Sequence, residues 1–128
     1  MTDKEYNKRY WLDGVDEALA ASQVLLEGKI YTQALFYCQL AVEKQLKAII
    51  VSKLDRAAPR THDLVELTKT AKIKLSQTRS NQLHDITDFN LAARYDAGPY
   101  SFKQKVTRKY CLRWYKTTQE ILTWLRNQ

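Results

Sequence analysis

The sequence predicts an all-α protein. Apolar residues return at three- and four-residue steps through long stretches, alternating β-branched runs are nearly absent, and 128 residues include only three Gly and two Pro. A chain of this length suits one domain, 1–128, able to bury about two thirds of its unfolded surface without metals or disulfides.

Each helix has its own warrant. Residues 4–27 place Tyr10, Trp11, Val15, Ala18, Leu19, Ser22, Leu25 and Leu26 at helical spacing, with Asp13, Asp16 and Glu17 opposite. Gly28 is the expected left-handed stop, and so short a connection makes the next helix an antiparallel neighbour. That helix, 30–53, is expected at the centre. Ala34, Leu35, Cys38, Ala41, Val42, Leu46, Ile49 and Ile50 form a wide stripe, and its small residues admit close neighbours, while Glu43 and Lys47 are read as an i,i+4 pair on the wetter side. Pro59 makes 55–61 a loop.

Thr61 is the expected cap of a third helix reaching about Lys74, with Asp63 favouring the dipole of its first turn. A fourth helix runs from 76 to about Tyr95 with Leu83, Ile86, Thr87, Asn90, Leu91 and Arg94 in step. After a turn at 96–101, Ser101 is read as the cap of a fifth helix, 102–126, with Val106, Tyr110, Trp114, Thr117, Ile121 and Trp124 inward. Cys38 and Cys111, set among apolar neighbours, are read as core thiols. No apolar run approaches 18 residues, and a soluble, cytoplasmic protein without membrane contact is expected.

The net charge of +7 is concentrated at one end, since residues 101–128 hold seven Lys or Arg against one acidic residue. Lys103, Lys105, Arg108, Lys109, Arg113, Lys116 and Arg126 make a basic helix that is either a phosphate-attracting stripe or a solvated face. Two His and two separate Cys do not make a metal set, and no nucleophile–base pair or phosphate loop is present, so no metal or cofactor is expected. Two polar spots stand out. His62, at a helix start after a Pro loop, suits either local hydrogen bonding or an anion. Arg94-Tyr95, at a helix end, suits either carbonyl capping or phosphate and base recognition.

Gln39-Leu40-Ala41-Val42-Glu43-Lys44 with Lys47-Ala48, then Thr61-His62-Asp63-Leu64, then Ala93-Arg94-Tyr95-Asp96, occur in an order and spacing that resembles the prokaryotic HEPN domain. The resemblance spans nearly the whole chain. It implies an antiparallel, up-down four-helix bundle with an additional helix, a homodimer, and a partner of the minimal nucleotidyltransferase type in a toxin–antitoxin pair. It also implies nucleotide or RNA binding, with His62, Arg94 and Tyr95 as ligand-binding residues. Ribonuclease relatives carry an Arg followed after four to six residues by His. Arg79 and His84 fit that pattern and would serve a metal-independent endoribonuclease, His84 as general base or acid and Arg79 as phosphorane stabiliser. Arg56 and His62 fit it across a loop. A helical protein–protein adaptor, its basic helix meeting an acidic partner, is the further alternative.

Overall fold

The computed structural model describes residues 1–95 and 104–128, the side chains of 91–95 excepted. The turn read at 96–101, the Ser101 cap, Lys103 and the side chains of Arg94 and Tyr95 lie outside the described residues. Five helices are named among the described residues, in an up-down bundle with one short extra helix.

Helix α1, Asp3–Glu27, begins with a capping box. The Thr2 hydroxyl accepts from the Glu5 amide at 3.2 Å, and the Thr2 amide donates to the Glu5 carboxylate at 3.0 Å. Its first turns are exposed on every side, and Gly14, Val15, Ala18, Ser22 and Leu26 are buried further along. Helix α2, Tyr31–Leu54, is the central element and packs on all the others. Ala34, Leu35, Cys38, Ala41, Val42 and Leu46 are fully buried along it. The Ser22 hydroxyl donates to the Ala34 carbonyl at 2.8 Å, fixing the α1–α2 hairpin where small side chains let the backbones meet.

The left-handed residue of this hairpin is Lys29, at φ 64, and not Gly28, at φ −79. The Gly28 amide still bonds the Val24 carbonyl in helical register, so the stop falls one residue later. Lys29 and Ile30 then return to the carbonyls of Leu26 and Leu25 at 3.1 and 2.8 Å, a Schellman closure.

Helix α3, Leu64–Thr70, is shorter than its sequence suggests and starts later. Its cap is Asp63, whose carboxylate accepts from the amides of Val65 and Glu66, and Thr61 instead receives the Asp63 amide. It stops before Lys74 because Lys72 turns left-handed at φ 59 and Ile73 bonds back to the Thr68 carbonyl. Helix α4, Gln77–Tyr95, opens with the Ser76 hydroxyl accepting from the Arg79 amide, and buries Leu83, Ile86, Phe89 and Asn90. Helix α5 runs Arg108–Arg126, and the single helix expected from 102 is broken: residues 104 and 105 are helical, 106 and 107 are not, and the Thr107 hydroxyl caps the start at Arg108 by accepting from the Tyr110 amide. Its buried face is Cys111, Trp114, Thr118, Ile121, Leu122 and Leu125, with Thr117 and Trp124 at the margin.

Candidate functional site

Glu43 and Lys47 lie in the interior, 4% and 7% exposed, where a wet-side pair was expected. The reason is that the 55–63 loop and α1 fold across that side of α2. The Lys47 ammonium donates to Glu43 Oε2 at 3.0 Å and lies 5.5 Å from the Trp11 ring centre. Gln39 donates through Nε2 to Glu43 Oε1 at 2.9 Å and to the His62 carbonyl at 3.1 Å, and Asn90 of α4 donates to Gln39 Oε1 at 3.0 Å. His62 Nδ1 meets Glu43 Oε1 at 2.8 Å. A buried polar chain thus runs from α1 through α2 to α4 and emerges at His62, whose side chain is about half exposed. Burial pushes the Glu43 carboxyl up, but hydrogen bonds from Gln39, His62 and Lys47, with the Lys47 charge, outweigh it and hold the group below its ordinary value. A carboxylate in this position orients the imidazole and leaves the outer ring nitrogen to meet solvent, an anion or a proton.

The second concentration of functional groups lies where α4 faces α5. Phe89 packs edge-on against Trp114, ring centres 5.4 Å apart, and Tyr110 tilts beside both. Arg113 lies 5.5 Å from the Trp114 ring centre and 5.9 Å from that of Tyr110, which Lys105 also approaches at 5.7 Å. The Trp114 indole nitrogen is buried and makes no well-formed hydrogen bond among the described residues, though it weakly supports the Tyr110 phenol. Burial pushes the Tyr110 phenol up, with the Asp85 charge adding to it and the adjoining Trp114 side chain and Arg113 opposing. Arg108, Lys109, Arg113 and Lys116 are all exposed. Lys109, Arg113 and Lys116 fall within about 60° of arc on the face opposite the core.

Arg79 and His84 are not brought together within the protomer. Five residues apart on α4, they point about 140° away from each other. The Arg79 guanidinium turns toward α5, 5.1 Å from the Trp124 ring centre, and donates to Gln82 at 3.0 Å. His84 stands exposed. Arg94 and Tyr95 sit in the last turn of α4, their side chains outside the described residues. Sequence reasoning missed Gln39, Asn90 and the buried role of Glu43, and it missed Phe89, Asp85 and Asp88. The available signal was three polar residues, 39, 43 and 90, at positions in step with apolar stripes.

Among the described residues no cluster of three or more His, Cys, Asp or Glu is placed to hold a metal, and no helix is long and apolar enough to cross a membrane. The family model of the HEPN domain matches residues 9–128. The crystal structure of TT1696 from Thermus thermophilus is similar in fold, with a TM-score of 0.81 at 21% identity over 94% of this chain and 96% of that one. No curated protein matches significantly.

Proposed function

The chain belongs to the HEPN domain family, and from that premise we propose that it is a nucleotide- or RNA-binding interaction module. One observation carries this reading. On α5 the half-buried ring of Tyr110 lies directly beside Lys105 and Arg113, and the exposed cations continue through Arg108, Lys109 and Lys116. Rings that stack with bases and cations that follow phosphates are the two components of sequence-tolerant single-strand binding. A purely electrostatic adaptor face needs no aromatic component, so this pairing favours nucleic acid over an acidic protein partner. His62, held outward by Glu43, and Arg94-Tyr95 supply further phosphate contacts in this proposal.

The module works as a homodimer in the cytoplasm, beside a minimal nucleotidyltransferase in a toxin–antitoxin type of pair. A second reading, metal-independent endoribonuclease through Arg79 and His84, draws support from the exposure of His84. In that reading the two residues meet across the dimer, because within one protomer they diverge. The deciding experiment is incubation of mixed, end-labelled RNA with the purified protein in excess chelator. Intact but retained RNA supports the binding module. Cleavage lost in both Arg79→Ala and His84→Ala, with the helical fold preserved, replaces it with the ribonuclease.

A further inference from the structure

The groove between α4 and α5 contains a pocket of about 410 Å³, within the range of sites that hold small organic ligands. Its wall is aromatic, from Phe89, Tyr110 and Trp114, and its lining carries two cations, Lys105 and Arg113, and two carboxylates, Asp85 and Asp88. Neither carboxylate forms an ion pair among the described residues, although cations line the same pocket. Trp114 is 6% exposed and its indole N–H makes no well-formed hydrogen bond among the described residues. The pocket therefore combines the exposed part of the Tyr110 ring, two carboxylates without an ion pair among the described residues, and two cations.

These features narrow the ligand. The half-buried Tyr110 ring suits an edge or partial stacking contact with a planar ring, and the cations suit a phosphate attached to it. The carboxylates then select among bases. Guanine is the nucleobase whose pairing edge presents two adjacent donors, N1–H and the N2 amine, which one carboxylate accepts together. Adenine and cytosine set a ring-nitrogen acceptor beside their amine, which a carboxylate repels, and uracil offers one N–H between two carbonyls. Guanine also carries O6 and N7 acceptors on its remaining edge.

We propose that this pocket binds a guanine base bearing a phosphate, with Asp85 or Asp88 reading N1–H and N2–H and Lys105 and Arg113 meeting the phosphate. The inference rests on the nucleotide- or RNA-binding reading above and adds to it a base and a place. The same chemistry is presented by a free guanine nucleotide and by guanosine within single-stranded RNA.

The test is calorimetric titration of the full chain with GMP, AMP, CMP and UMP, alongside anisotropy of labelled single-stranded RNAs that contain or lack G. GMP should bind at least tenfold more tightly than the other three. The exposed pair Asp85→Asn with Asp88→Asn, which leaves the core untouched, should erase that preference, and Lys105→Ala, at an exposed position, should weaken GMP several-fold. A preference shown by GMP alone identifies a free nucleotide as the ligand, and one shown also by G-containing RNA identifies the strand. RNA binding with no preference for G, or a preference that survives loss of both carboxylates, overturns the guanine pocket and leaves the binding module standing. Absence of any binding to nucleotide or RNA overturns both.

Discussion

Replacing Glu43 by Gln keeps the size of the side chain and one acceptor for Gln39 or His62, but it leaves Lys47 without a counter-charge. Lys47 is 7% exposed, so its ammonium cannot recover full hydration without moving. Removing one partner of a buried ion pair costs about 3–5 kcal/mol. The Trp11 ring at 5.5 Å remains to meet the cation, which places the expected loss near the lower end, at about 3 kcal/mol. Against a total stability of about 5–15 kcal/mol this is readily measured by urea denaturation at pH 7 with an unchanged m-value. The double variant Glu43→Leu, Lys47→Leu should recover most of the loss, because an apolar pair of similar volume leaves no buried charge. The sign of the pH dependence is also set. Glu43 is held below its ordinary value in the fold, so its contribution is present above that value and is lost as pH falls through the depressed one. Wild type should therefore lose stability below about pH 4.3, and Glu43→Gln should show a shallower acid limb. A single-variant loss under about 1 kcal/mol, or a double variant no better than the single, would refute the buried-network reasoning.

Three further outcomes follow from the geometry. Lys29→Gly should stabilise the fold by about 0.5–1 kcal/mol in the same denaturation assay, since Lys29 holds φ 64 where a Cβ is penalised. The thiols of Cys38 and Cys111, both fully buried and raised by burial, the latter to about 12, should resist a thiol-reactive chromogenic disulfide at pH 8 in the native state and react fully once unfolded. Arg79→Ala should cost about 0.5–1 kcal/mol through loss of its stacking on Trp124, whereas His84→Ala, at an exposed position, should leave stability within about 0.5 kcal/mol.

Periodicity made α1 and α2 legible nearly to their ends, because apolar stripes at three- and four-residue steps reflect burial directly. It misjudged Glu43 and Lys47, since an i,i+4 pair of opposite charge reads the same on a wet face as beneath a loop. Only the path of 55–63 over α2 distinguishes the two cases. The ends of α3 and the start of α5 were misplaced for a local reason. Left-handed turns at Lys29 and Lys72 use residues without the glycine signature, and the break at 106–107 followed by the Thr107 cap carries no sequence signal that periodicity reads. On the functional side, the charge of α5 was plain in the sequence. Its partners on α4 were not, because Asp85, Asp88 and Phe89 lie more than twenty residues from Tyr110 and no spacing rule links them.

The central claim is that the outward face of α5 binds the phosphates of a single strand. Its most direct measurement is the affinity for a labelled single-stranded RNA at a series of salt concentrations, for wild type and for the Lys109→Ala, Arg113→Ala, Lys116→Ala triple variant. Each phosphate contact on a single strand contributes about 0.7 to the logarithmic salt slope, so the triple variant should lower the slope by about 2 and bind more weakly throughout. Binding that ignores salt, or a triple variant whose slope matches wild type, would contradict the account.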